Sequence, residues 1–318
     1  MHYQWQIEQF LAKSKNPVQL ALHYDKLSKK AREGLQWPCW LQVKYDGVYC
    51  MAIRDYDGDV QFYSRTGKKF FIGADLYTKL VLATPVEVGV YIAELCNDSI
   101  SLERLSGYVN PNRKVAWDAP DVAAMDKSYL ALHDCISLEA LYNGVDETLY
   151  AERYGRLESR YYSNTPSAHS RLVTSWPCYT SHDMQQYAAR MIEQDEEGIV
   201  RKETHAPWIA GHKGANTTKI VRGIDVDLLC TGVVIGEGKF EGLIAGLKFL
   251  WKGKEFTAGL GKGWDAETQQ AHTAAWLQNE SYVVGQVWRV TALQESSQGV
   301  LRLPKVGEMR IDKVQADA

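Results

Sequence analysis

Leu41-Gln42-Val43-Lys44-Tyr45-Asp46-Gly47-Val48-Tyr49-Cys50 sets a lysine two residues ahead of an Asp-Gly pair, between two runs of alternating apolar residues. Asp-Gly between alternating runs is a hairpin signal. The stretch therefore predicts two strands joined by a tight turn, with the Lys44 amine at the rim of a sheet. An amine there is either the solvated end of a strand or a nucleophile, and the stretch alone leaves both readings open.

Working outward, strand patterning continues to Ser64 through a second turn, Asp55-Tyr56-Asp57-Gly58, and a basic Gly turn follows at Arg65-Thr66-Gly67-Lys68-Lys69. Residues 86–95 make another β-rich run that ends in the carboxylate Glu94, and Leu130–Leu138 is an apolar strand broken by His133-Asp134. Polar residues in the middle of a buried strand often mark a site. Amphipathic or charged helices are expected over 4–12, 147–160 and 181–195. Glu196-Glu197-Gly198 leads into a short strand that carries Arg201 and Lys202. The polar, Gly-rich segment Ala210–Thr218 reads as a mobile surface loop before Lys219-Ile220-Val221-Arg222.

The chain has 318 residues, 45% of them hydrophobic and 24% charged, the composition of a globular protein with a large core. Beyond about 250 residues a single core tends to split, so two domains are expected. From Asp227 the pattern changes to short strand-like runs separated by glycines, with one helical insert over Asp265–Gln278. That pattern predicts a small Greek-key barrel of the OB type. The expected organisation is α+β, with residues 1–226 as one domain and 227–318 as the barrel. There is no leader-like segment and no apolar run of membrane-spanning length, so a cytoplasmic protein without a membrane partner is expected. The six cysteines include no C-x-x-C pair, which disfavours a zinc site and gives no disulfide framework. The net charge of −3 lacks the basic excess usual for nucleic-acid binding. Local basic clusters remain, however. Lys13, Lys15, Lys26, Lys29, Lys30 and Arg32 form one, which is either a set of solvated helix faces or a surface for DNA.

The ordered series KYDG at Lys44, SRTG at Ser64, AEL at Ala93, HD at His133, EGIVRK at Glu197, TKIVRGIDVDL at Thr218 and RIDK at Arg310 resembles the ATP-dependent DNA ligases. These belong to the covalent nucleotidyltransferases, together with RNA ligases and mRNA capping enzymes. The IDVDL and LRLP stretches are most similar to minimal bacteriophage enzymes. The resemblance implies an adenylation domain of antiparallel sheets and helices followed by an OB-fold domain. It also implies ATP with Mg²⁺ or Mn²⁺, nicked double-stranded DNA as partner, and a monomer of the kind that serves DNA repair and replication. The implied reaction has three displacements at phosphorus: formation of a lysyl-AMP, transfer of AMP to the 5′-phosphate at a nick, and attack by the 3′-hydroxyl.

Carried over to this chain, the resemblance makes Lys44 the nucleophile, activated by nearby cations and metal. Asp46 either orients it or only serves the turn. Gln42 meets the adenine edge, Arg65 the phosphate at the nick with Lys68 and Lys69 beside it, and Glu94 the ribose. His133 stands where an aromatic ring stacks on adenine, Glu197 binds the metal, and Lys202 and Lys219 meet the α-phosphate. Arg310, Asp312 and Lys313 engage the departing pyrophosphate. Two positions depart from the pattern. Tyr49 stands where K-x-D-G-x-R ends in arginine, and Val221 replaces the second lysine of K-x-K, with Arg222 one residue further on. Because successive strand residues face opposite ways, Arg222 substitutes for that lysine only through a bulge or turn. An RNA ligase or capping-type transferase is the enzymatic alternative. A nick-binding or end-binding protein without the chemistry is the other.

Overall fold

The computed structural model describes residues 3–317 apart from 262, 293, 294, 297 and 314. The chain divides into two compact units, Met1–Val221 and Arg222–Ala318. The first contains strands β1 (Leu20–His23), β2 (Cys39–Lys44), β3 (Val48–Arg54), β4 (Val60–Ser64), β5 (Gly89–Cys96), β6 (Tyr129–Ile136), β7 (Val145–Asp146), β8 (Ser170–Leu172), β9 (Ser175–Cys178), β10 (Gly198–Glu203), β11 (Trp208–Ile209) and β12 (Lys213–Val221). Apart from the short β7–β11 pair, these form two five-stranded sheets, ordered β1-β12-β10-β2-β9 and β4-β3-β5-β6-β8.

The Asp-Gly hairpin expected at Lys44 does not form. β2 lies in the first sheet and β3 in the second, so Tyr45–Gly47 is a strap between sheets. Gly47 makes the crossing possible, because a Cβ there would meet Cys96 Sγ at 2.7 Å and Glu94 Cβ at 2.8 Å. A second strap, residues 173–174, joins β8 to β9. The turn at Asp55–Gly58 does form as read. Gly58 adopts φ 85°, and Asp55 Oδ1 accepts from the backbone N–H groups of Asp57 and Asp59. The segment read as a loop at Ala210–Thr218 becomes strand from Lys213 onward, because β12 is paired on both sides, parallel to β1 and antiparallel to β10. Ladder bonds on two flanks outweigh weak local propensity.

Each sheet buries alternate residues against helices. Cys39 and Leu41 of β2 pack with Ile199 of β10 and with Met184 and Ala188 of the helix Ser181–Glu193. The second sheet is covered on both faces. Ala52, Phe62, Tyr91 and Leu132 lie in one core, and Met51, Ile53, Tyr63 and Ile92 lie in another with Ile7 and Leu11 of the helix Tyr3–Lys13. A side chain of this size contributes about 1.5–3 kcal/mol when fully buried. Since odd residues of β2 enter a core, its even residues, Trp40, Gln42 and Lys44, face the opposite way.

The second unit is a closed barrel of β13 (Ile224–Ile235), β14 (Ile244–Trp251), β15 (Lys254–Leu260), β16 (Val287–Ala292) and β17 (Lys305–Met309), ordered β13-β14-β15-β17-β16. The helix Ala266–Gln278 sits between β15 and β16 in the chain. This is the OB-type barrel read from the strand spacing. The strand β13 begins at Ile224, so residue 226 falls inside it rather than at a junction.

Candidate active site

The face of the first sheet opposite its helix carries the basic residues singled out in the sequence. Cross-strand partners share a face. One row of the sheet is Trp40, Lys202 and Thr217, the next is Gln42, Val200 and Lys219, and the last is Lys44, Gly198 and Val221. Lys44, Lys202 and Lys219 therefore point to one side, with Gln42 between them. Gly198 adopts φ 142°, and a Cβ there would meet Ile220 O at 2.1 Å and Val221 Cα at 2.7 Å. The backbones of β10 and β12 approach too closely at this point for any side chain on residue 198. No register shift occurs between Lys219 and Val221. Val221 thus keeps the site-facing position, and Arg222 stands past the end of the strand.

Lys44 Nζ donates to Glu197 Oε2 at 2.5 Å, with only 20% and 17% of the two side chains exposed. Burial by itself would lower the pKa of the ammonium. Glu197, Glu94 and Asp46 outweigh that effect and raise it. Among the protein groups, carboxylates crowd this lysine and hold its proton in place. Lys219 feels the opposite balance, lowered by burial first and then by Lys44.

Glu94, on β5 opposite Tyr49 of β3, is pushed up to about 8. Burial is the largest cause, opposed by Lys44 and Arg65 and reinforced by Glu197 and Asp46. A folded-state pKa above the unfolded value means that the folded protein holds the extra proton. Stability therefore falls as pH rises from the ordinary glutamate value, about 4.3, to about 8. Glu94→Gln removes this loss. The unfolding temperature of the variant relative to the native protein is expected to climb between pH 5 and pH 8.5, and parallel profiles would contradict it. Oxygen donors such as these suit a hard divalent cation, which needs few protein ligands. Among the described residues no group of three or more His, Cys, Asp or Glu side chains is arranged to hold a metal ion.

At the other end of the row the sheets are stitched together. Gln42, 2% exposed, donates from Nε2 to the carbonyls of His133, at 3.2 Å, and Val173, at 3.4 Å. Both amide protons are spent, so Gln42 has only its oxygen to offer a ligand. Lys202 Nζ reaches the His133 carbonyl at 3.3 Å, His133 Nδ1 at 3.5 Å and Asp134 Oδ2 at 3.2 Å. The His133 imidazole is pushed down to about 3, by burial first and then by Lys202, so it is a neutral ring at pH 7. Tyr49 packs edge-on to it, with ring centroids 6.4 Å apart.

Beneath Lys202, Asp134 of the polar break in β6 is joined to an arginine that was not singled out from the sequence. Arg153 grips Asp134 with Nε at 3.0 Å and Nη2 at 3.1 Å, and both residues are at most 2% exposed. The segment was read as a charged surface helix. Yet Tyr150, Arg153, Tyr154 and Leu157 follow the i, i+3, i+4, i+7 pattern of a buried stripe, and all four are buried. An arginine inside that stripe was the available signal. Arg65 stands close enough to Glu94 and Lys219 that its charge, a smaller influence than burial, acts to lower the pKa of both. Arg65, Lys68 and Lys69 are exposed on the β4 hairpin, where Gly67 adopts φ 76° and Lys69 lies 3.9 Å from Glu8. Arg310, Asp312 and Lys313 belong to the barrel unit, gathered around Asp227, which was not singled out.

Comparison with known proteins bears on the family and the fold. The family model "ATP dependent DNA ligase domain" matches residues 18–220. The solved structure "Pmar-Lig_PreS3" superposes with a TM-score of 0.75 at 19% identity, covering 92% of this chain and 67% of that one. A structure from a structure-function study of Lig E DNA ligases gives 0.69 at 16% identity, covering 92% and 98%. The ATP-dependent DNA ligase from bacteriophage T7, in complex with ATP, gives 0.52 at 17% identity, again covering 92% and 98%. At these identities the structural likeness speaks for the fold. No curated protein matches the sequence.

Proposed function

Since the chain belongs to the ATP-dependent DNA ligase family, we propose that it seals nicks in duplex DNA, as a monomer, through a lysyl-AMP intermediate on Lys44. The unit 1–221 serves as the adenylation domain and the barrel as the OB domain. The observation that carries this reading is the Lys44–Glu197 pair at 2.5 Å, set at the seam where two sheets meet.

In the first displacement Lys44 Nζ, having released its proton to water, bonds to the α-phosphorus of ATP while the bond from that phosphorus to the bridging oxygen of the β-phosphate breaks and pyrophosphate leaves. Such reactions depend on alignment and charge neutralisation. Glu197, with Glu94 close by, would hold Mg²⁺ or Mn²⁺, and the bound metal supplies positive charge against the phosphates. Drawing Glu197 away from Lys44 is what frees the amine, because that carboxylate is the strongest force holding its proton. Lys202 and Lys219 meet the α-phosphate, Glu94 meets the ribose, and Asp46 orients the lysine. His133 offers its neutral ring to the base.

Gln42 offers only an acceptor, which suits the amino group of adenine and repels the carbonyl of guanine. AMP then passes to the 5′-phosphate of the nick, gripped by Arg65 with Lys68 and Lys69 alongside, and the 3′-hydroxyl expels it. The test is covalent labelling with ATP, GTP and NAD⁺ in parallel. ATP alone is expected to label the protein, and nicked duplex DNA to discharge the label. Labelling by GTP, or discharge only by RNA ends, would move the assignment to a capping-type or RNA-joining enzyme.

A further inference from the structure

We propose that Asp227 is a positioning residue for the nucleotide step, holding Arg310 and Lys313 as one preorganised pair of cations. This rests on the reading above that the terminal R-x-D-K element meets the pyrophosphate leaving ATP. Asp227 lies on the first strand of the barrel, opposite Arg289 of β16, and is 4% exposed. A single oxygen, Oδ2, receives Arg310 Nη1 at 2.5 Å and Lys313 Nζ at 2.6 Å. The two cations are therefore at most about 5 Å apart, close enough to address adjacent phosphoryl groups together.

The backbone of the same residue fastens the tail that follows. Asp227 N donates to Asp317 Oδ2 at 2.7 Å, and Asp317 N donates to Asp227 O at 2.7 Å. Lys313 Nζ also lies 3.2 Å from Asp317 Oδ1. Arg310, whose backbone N–H donates to the Val287 carbonyl at 2.8 Å, and Lys313 stand just beyond the last strand. Asp312 takes the far edge of the guanidinium, at 3.0 and 2.9 Å. Among the described residues these contacts take three of the five guanidinium protons and two of the three ammonium protons. The others can meet an anion, while a buried carboxylate that would be costly to leave unpaired keeps both cations in place.

The experiment measures two steps separately in the full chain: single-turnover lysyl-AMP formation, and sealing of a nick that already carries AMP on its 5′-phosphate. Asp227→Asn keeps the side-chain volume and the strand pairing and removes the charge. It is expected to slow lysyl-AMP formation by about tenfold to a hundredfold. Sealing of the pre-adenylated nick releases no pyrophosphate and should fall far less, which also reports that the variant is folded. Asp227→Glu should recover part of the lost rate. Equal losses in both steps, with a lowered unfolding temperature, would reduce Asp227 to a structural role and overturn the proposal. So would a native rate of labelling in Asp227→Asn while Arg310→Ala is slow. A native labelling rate in Arg310→Ala would instead overturn the underlying reading of the terminal element.

Discussion

Lys44→Ala is expected to abolish covalent attachment of AMP, by roughly 10³-fold or more in rate, while retaining measurable sealing of a pre-adenylated nick. The asymmetry follows from the chemistry. Only the first two displacements use the amine, whereas the third takes its nucleophile from DNA. The same substitution removes the positive partner of Glu197, leaving Glu94, Glu197 and Asp46 without the cation that now offsets them. Labelling with radioactive ATP, followed by denaturing electrophoresis, reads the first effect directly. A labelled band that survives in the alanine variant would move the nucleophile to another lysine of the same face, Lys202 or Lys219.

Asp134→Ala should destabilise the protein by about 3–5 kcal/mol, the usual cost of removing one partner from a buried charge network. Two cations depend on this carboxylate, Arg153 through a bidentate contact and Lys202 at 3.2 Å. For a unit of this size the loss corresponds to a fall of roughly 6–20 °C in unfolding temperature. Burial alone would raise the pKa of the Asp134 carboxyl, but Arg153 and Lys202 hold it well below the usual carboxylate range. A depressed folded-state pKa gives stability that is present above the ordinary aspartate value, about 3.9, and is lost as pH falls below it. The gap between native and variant proteins is therefore expected to be full at neutral pH and to narrow on acidification. A gap that stays constant down to pH 2, or a variant as stable as the native chain at pH 7, would contradict this account. Calorimetry across that range decides it.

The sequence carried much of this site, with limits of a physical kind. The alternation of β2 was legible, with Cys39 and Leu41 on the face that enters a core and Gln42 and Lys44 on the other, and the resemblance gathered Lys44, Glu197 and the other lysines into one site. The Asp-Gly pair misled, since the same dipeptide suits a hairpin or a passage between sheets, and the choice belongs to tertiary pairing. The strand β12 was hidden for a related reason. Its Gly214, Ala215 and Asn216 have weak strand preference, and its order comes from two flanking partners. Electrostatics was the least legible part. Whether Lys44 is surrounded by cations or carboxylates depends on Glu94, Asp46 and Glu197, three residues far apart in the chain. Arg153 and Asp227 were missed because a charged residue in sequence is presumed solvated, although the helical stripe around Arg153 argued against that.

The two straps have a mechanical consequence. Tyr45–Gly47 and residues 173–174 both join the sheets at the β2–β9 edge, where Gln42 pairs with Ser175. The straps enter the second sheet at β3 and at β8, with β5 and β6 between them. Gln42 and Lys202 add bonds to the His133 carbonyl and, for Lys202, to Asp134. The two sheets are thus fastened at several separate points, so Lys44 at the root of one strap and Lys202, which reaches across the seam, are held at a set spacing.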